Sequence, residues 1–262
     1  MRTPFARLLA SAVVVIVAWD LCARLLVRNP LFLPLPAAVL TAGLQVARSG
    51  ELWRNMGVST VEFLAGSLMG VAGGVLLGVL MGANQKLADY VDPWVSAAYT
   101  APLVALTPLL IIWFGIGLWS KAIIICLVVI FPVTIGTIAG IRSTDRSLLE
   151  VAVSFGATRR DVLRKVMVPW ALSFILSGAR IGVGRGVIGI FVAELFGGAS
   201  KGIGLMIVQA AQVFDTPLLF VGIIVLACFG IIVTGGLRLL ERRLAPWRPQ
   251  SVVESGRGGC CG

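Results

Sequence analysis

FLAGSLMGVAGGVLLGVLMG, residues 63–82, runs for twenty residues without a charge. A helix of about 20 apolar residues crosses the hydrocarbon core of a bilayer. Several further runs of this kind follow in a chain of 262 residues that is 58% hydrophobic and 13% charged. A soluble domain needs nearer 25% charge to cover its surface. Short alternating segments, the mark of a membrane β-barrel, are absent from the sequence. The expected class is therefore an all-α polytopic membrane protein.

The same twenty residues carry a pattern. Gly66, Gly70, Gly74, Gly78 and Gly82 recur every fourth position, with Gly73 beside them. Residues four apart share a helix face. In lipid, helices associate through close backbone packing, which such a stripe permits. Two readings stand: tight packing inside a bundle, or a sliding surface in a moving transporter.

Working outward, six spans are expected, at about 8–27, 63–82, 95–114, 122–140, 171–192 and 218–240. Arg2 and Arg7 precede the first. No small-residue cleavage site follows it, so it reads as an uncleaved span. Asp20 and Arg24 are spaced to pair on one face. Residues 37–47 read as a short interfacial helix, and Ser59 with Glu62 has capping-box spacing, an earlier helix start being the alternative. Pro102 and Pro108 in the third span, and Pro132 in the fourth, suggest kinked helices. No acidic residue is expected deep in spans two to six.

The net charge of +10 could suggest nucleic acid, but the basic residues sit in short loops between spans, where they set topology. With the N-terminus in the cytoplasm, the inner side collects Lys86, Arg142, Arg146, Arg159, Arg160, Arg164, Lys165 and the basic C-terminal end. The outer side holds Arg28, Arg48, Arg54, Lys121 and Lys201. Both termini are then expected inside, and nucleic acid is not an expected partner.

The sequence has no histidine, which removes histidine catalysis, metal ligation and proton relay. Cys22, Cys126 and Cys228 lie in apolar spans and read as packing residues. Cys260 and Cys261 end a Gly-rich tail, 249–262, expected to be disordered. No zinc spacing or prenylation box accompanies them. A phosphate loop of the GxxxxGK[ST] type is also missing, as is any nucleophile with its base. No catalytic residue, metal site or resident cofactor is expected.

The long connector between spans four and five, about 141–169, contains EVAVSFGATRRDVLRKVMVPW, residues 150–170. Apolar residues Leu148, Val151, Val153 and Phe155 precede the charged cluster Arg159, Arg160, Asp161, Arg164 and Lys165. Gly156 interrupts the helical pattern, and Pro169 is placed to start the next helix. Helix, turn, helix, then span is the expected order. A solvated basic loop that fixes topology is one reading. An apolar face on such a connector, however, must rest on lipid or on a partner.

Glu150, Ala152, Gly156 and Pro169 resemble the EAA loop of binding-protein-dependent ABC importers: Glu-Ala-Ala, three residues, Gly, nine residues, Ile, one residue, Leu-Pro. Val151, Val166 and Val168 replace an alanine, the isoleucine and the leucine. LPLPAAVL (33–40), DPWVSAAYTAPLVALTPLLIIWFGIG (92–117) with the following Ser120-Lys121, VAELFGGASKGIG (192–204) and LERRL (240–244) with Trp247 are similar to permeases of the nitrate/sulfonate/taurine class. The likeness covers roughly residues 33–248.

The resemblance implies a type I, MetI-like permease fold at the bacterial inner membrane. It implies that Glu150, Ala152, Gly156, Ala157, Arg159, Arg160 and Pro169 belong to a coupling segment, with Glu150 to Arg160 a helix seated on a separate P-loop ATPase that binds ATP–Mg. It also implies an extracytoplasmic solute-binding protein and a second permease chain, of identical sequence in the simplest case. The solute it implies is small, of the nitrate, sulfonate or taurine kind.

Arg180 and Arg185 fall within the fifth span, where an arginine costs about 2.5–3.5 kcal/mol on insertion scales. Five residues apart, they diverge by about 140° around a helix. One is expected to line a path for an anionic solute while the other pairs with a carboxylate or backbone carbonyls. Locking helices together is the alternative for both. Glu194, at the outer end of the span, is placed either to cap the path or to meet the delivering protein. Gly178, Gly182, Gly184, Gly186 and Gly189 suggest a dimer or pathway helix. A stand-alone secondary transporter or channel remains the other functional reading, and a non-transporting scaffold the third.

Overall fold

The computed structural model describes residues 4–27, 29–196 and 201–244, and among them all regular structure is helical. α1 (Pro4–Leu21) passes into a π-turn, Cys22–Val27, and α2 (Pro36–Arg48) follows. Then come α3 (Glu51–Ala83), α4 (Gln85–Thr100), α5 (Thr107–Phe114) and α6 (Leu118–Arg142). α7 (Arg146–Ser154), α8 (Arg159–Val162), α9 (Val168–Phe196), α10 (Ile203–Gln212) and α11 (Thr216–Leu244) complete the order. Among the described residues, five helical stretches are long and apolar enough to cross a membrane: Ala10–Val27, Glu51–Ala83, Leu118–Arg142, Arg159–Phe196 and Thr216–Glu241.

The expected third span is not one helix. Pro102 pushes Ala101 into extended backbone, φ −65° and ψ 144°, which ends α4. A 3-10 turn, Leu103–Leu106, carries the chain to α5, whose first turn holds Pro108. The two prolines therefore break the segment instead of kinking it. The apolar α10 was not foreseen either. The expected disordered tail, 249–262, lies outside the described residues.

The chain divides into two compact units. The first contains Met1–Met69, Pro102–Val128 and Arg185–Ile232. Phe63 of α3 meets Phe229 of α11 edge to face at 5.1 Å, and Trp19 of α1 stacks on Phe220 at 5.4 Å. Leu110, Ile124 and Ala193 form a buried cluster. Gly66 lets α3 approach α6, because a Cβ there would stand 2.6 Å from the Ala122 carbonyl and from Ile125.

The second unit contains Gly70–Ala101, Val129–Gly184 and Val233–Gly262. Its clusters are Met81, Ala88, Val95 and Ile138, and Ile141, Ala171 and Ile175. Here the glycine stripe faces α6 again. Gly74 lies against Ile130 and Val133, Gly78 against Thr134 and Thr137, and Gly82 against Ile141. Gly70 is buried between them in sequence. From α9, Gly178 abuts Pro132 and Val133 of α6, and Gly182 abuts Val129. In the first unit Gly189 meets Ile125 and Val128. Gly66, Gly74, Gly78 and Gly82 of α3 and Gly178, Gly182 and Gly189 of α9 thus pack against α6 within this chain, while Gly184 lies by Thr234 of α11.

Candidate coupling connector and buried polar centre

The connector begins with Asp145, whose Oδ1 accepts from the Ser147 amide 2.9 Å away and caps α7. α7 ends at Ser154 because Gly156 takes φ +79°. The Ala157 amide then reaches the Ala152 carbonyl at 3.1 Å, and the Gly156 amide reaches that of Val153 at 2.9 Å. This crossed pair is a Schellman cap, which needs a left-handed residue at the glycine position. Thr158 and Asp161 at once form a capping box that starts α8. Two opposed caps separated by Ala157 make a sharp, specified corner. The segment expected as one helix from Glu150 to Arg160 is therefore divided, with Glu150 and Ala152 on α7, Gly156 and Ala157 in the corner, and Arg159 and Arg160 on α8.

Pro169 does not start a separate helix. α8 continues through a π-turn, Leu163–Met167, directly into α9. There the Val168 amide bonds the Leu163 carbonyl, one residue further back than in an α-helix. Proline has no amide and clashes with the carbonyl four residues earlier, so the widened turn absorbs it. The connector's side chains stand outward. Phe155 is 87% exposed, with Val151, Val153 and Leu148 also exposed. Glu150, Arg159 and Arg160 are exposed beside them.

Of the two arginines in α9, Arg180 pairs with Glu241 of α11, Nη1 to Oε2 at 3.1 Å. Arg185 is exposed on a different face. The divergence around the helix is as the spacing dictates, and one arginine does meet a carboxylate.

A second concentration of polar groups is buried in the first unit. Lys121 of α6 and Glu62 of α3 form an ion pair at 2.6 Å, their side chains 1% and 6% exposed. Glu194 of α9 is 1% exposed. Its Oε1 accepts from the Ser59 hydroxyl at 2.5 Å, and its Oε2 accepts from the Gly204 amide at 2.5 Å. Ser59 in turn accepts from the Ile203 amide at 3.0 Å, and Asn55 Oδ1 accepts from the Gly202 amide at 3.2 Å.

These contacts form a cap built from other helices. Gly202, the N-cap residue of α10, has no side chain to offer. Glu194, Ser59 and Asn55 supply the acceptors instead, and the positive end of the helix dipole favours the buried carboxylate. Gly202 and Gly204 are required for this closeness, since a Cβ on either would stand within 2.9 Å of Glu194.

This centre corrects two expectations. Ser59 and Glu62 are not a capping box, because α3 begins at Glu51 and both residues lie within it. Lys121 is not an outer-loop charge but a buried one. Glu62 and Glu194, which flank the expected spans, are both buried within long helices. A signal was present: Asn55, Ser59 and Glu62 continue the Gly66–Gly82 stripe backward at spacings of four, three and four. One face of α3 is therefore polar at its start and smooth thereafter.

The family described as the binding-protein-dependent transport system inner membrane component matches residues 74–246. A Bacillus subtilis (strain 168) permease named for aliphatic sulfonates transport, SsuC, is 37% identical over 90% of this chain and 85% of its own length. The Escherichia coli (strain K12) taurine transport system permease protein TauC is 34% identical, over 94% and 92% of the two chains. The formylaminopyrimidine transport permease protein ThiX of Halalkalibacterium halodurans is 32% identical, over 88% and 92%. Among solved structures, the inward-facing MetNI methionine ABC transporter superposes with a TM-score of 0.61 at 20% identity, covering 74% of this chain and 94% of that one, which speaks for the fold. With matched helices, a shared fold and relatives along nearly its whole length, this chain belongs to the family of inner-membrane permease components of binding-protein-dependent ABC transport systems.

Proposed function

We propose that the chain is the membrane half of an ATP-driven importer, passing a small anionic solute of the sulfonate or taurine kind from an extracytoplasmic binding protein to the cytoplasm. Two copies form the path, and ATP–Mg is bound and hydrolysed by a separate P-loop ATPase. Both termini and the α7–α8 connector face the cytoplasm. Coupling is the work of Glu150, Ala152, Gly156, Ala157, Arg159, Arg160 and Pro169. The observation that carries this reading is the connector itself: a doubly capped corner with Phe155 87% exposed and Val151 and Val153 beside it. An apolar surface of that kind is stable in water only when something covers it. Arg180 and Arg185 hold the path's positive potential, and Arg180 is positioned by Glu241.

Mild-detergent purification of the tagged chain from its host tests the reading. The wild type should retain a P-loop ATPase, and Gly156→Val, which cannot adopt the left-handed corner, should lose it. Failure to retain an ATPase, even after crosslinking, would defeat the proposal.

A proton-coupled secondary transporter is the second reading, favoured by the buried carboxylates Glu62 and Glu194. Embedded carboxylates are the usual carriers of coupled protons. Glu62 is held by Lys121 and Glu194 by Ser59 and Gly204, which suits a fixed structural pair better. Transport driven by a proton gradient without ATP would establish the second reading.

A further inference from the structure

A small cavity of about 180 Å³ opens beside the buried centre, where the first turn of α3 meets the start of α10. Arg54, Lys201, Asn55 and Gln209 line it, with Leu205 and the carboxylate of Glu51. Arg54, Lys201 and Gln209 are exposed, whereas Asn55 is only 6% exposed. Neither Arg54 nor Lys201 is in an ion pair with any described residue.

Asn55 gives the cavity its character. Its Oδ1 is occupied by the Gly202 amide. This fixes the orientation of the side chain, so the Nδ2 donors are the ones left over. No described residue takes them. The first turn of α10 adds to this polarity. The amides of Ile203 and Gly204 are spent on Ser59 and Glu194, and that of Met206 returns to the Gly202 carbonyl. Leu205, of the same turn, lines the cavity. Two cations and a buried carboxamide thus line one space, against a single carboxylate.

We propose that this cavity binds an oxyanion group, a sulfonate or carboxylate, with Arg54 and Lys201 as its charge partners and Asn55 Nδ2 as its fixed donor. Arginine matches the planar edge of such a group with two parallel hydrogen bonds, and lysine supplies a point charge. The volume suits a head group and is below the roughly 300–1,000 Å³ of sites for larger organic ligands. In the topology proposed above the site lies at the outer end of α3, where solute arrives. Its role in import rests on that reading; the binding itself does not. Glu194 and Ser59 act indirectly, holding the start of α10 beside Asn55.

Calorimetric titration of methanesulfonate into the purified transporter in nanodiscs tests the proposal. The wild type should bind it saturably, and tetramethylammonium should not compete. Arg54→Gln and Lys201→Gln should each weaken binding about tenfold, as loss of a charged hydrogen bond does. Gln209→Glu, which adds a negative wall at an exposed position, should abolish it. Should the wild type ignore free methanesulfonate while the same variants lose retention of the solute-binding protein, the oxyanion is a carboxylate of that protein and the site stands. Unchanged methanesulfonate binding and unchanged docking in all three variants would overturn it. ATPase retention is measured on the same samples, so loss of the importer reading is seen separately from loss of the anion site.

Discussion

Lys121 Nζ lies 2.6 Å from Glu62 Oε1, and the two side chains are almost wholly enclosed. Removing one partner of such a pair leaves an uncompensated charge inside the protein. That costs about 3–5 kcal/mol, far more than an exposed pair contributes. Lys121→Met should therefore lower the unfolding midpoint in detergent sharply. Adding Glu62→Leu to Lys121→Met should restore much of the loss, because two apolar residues leave no buried charge. A double variant less stable than Lys121→Met alone would show that the pair is not the governing interaction.

Glycines along α3 differ in what a methyl group would meet. At Gly78 it would fall on Thr137 and within 2.9 Å of the Thr134 carbonyl, whereas at Gly57 nothing lies within 4 Å. Gly78→Ala should destabilise by about 1–3 kcal/mol through overpacking. Gly57→Ala should be neutral or stabilising by up to about 1 kcal/mol, the helix preference of alanine. Thermal unfolding of the two variants side by side checks the contrast.

The membrane class, the α7–corner–α8 order and the two glycine series were legible because each is a local periodicity or a single turn. Gly156 could be read as a bend from its position alone. The third span could not be, since Pro102 and Pro108 are compatible with a kink, and only the extended Ala101 shows a break. Pro169 misled for the reverse reason: a π-turn lets the helix continue where a start was expected. The buried centre was missed because Glu62, Lys121 and Glu194 look like boundary charges in sequence. Their pairing spans 59 and 135 residues, and such separations leave no local trace.

At the corner of the connector, backbone conformation and side-chain bulk make different demands. Gly156 has φ +79°, and a Cβ there would touch no atom of this chain. Asparagine tolerates left-handed backbone, and β-branched valine of similar size does not. In the proposed importer, Gly156→Asn should keep more solute-stimulated ATP hydrolysis than Gly156→Val. Equal loss in both would mean that bulk at the partner surface, not the turn, sets the need for glycine.

Arg180 and Glu241 join α9 to α11 in the second unit, 3.1 Å apart, with 36% and 12% of their side chains exposed. In the proposed importer, Arg180→Gln and Glu241→Gln should each reduce solute uptake into proteoliposomes while assembly with the ATPase persists. If Arg180 serves mainly through Glu241, the losses overlap, and a double-mutant cycle gives a coupling of about 1 kcal/mol. Reversing the pair, Arg180→Glu with Glu241→Arg, should then recover uptake well above either glutamine variant. If Arg180 instead contacts the solute directly, reversal places a carboxylate in the anion's path and uptake falls below both single variants. The direction of the reversed pair therefore separates a positioning arginine from one that draws the solute through the membrane.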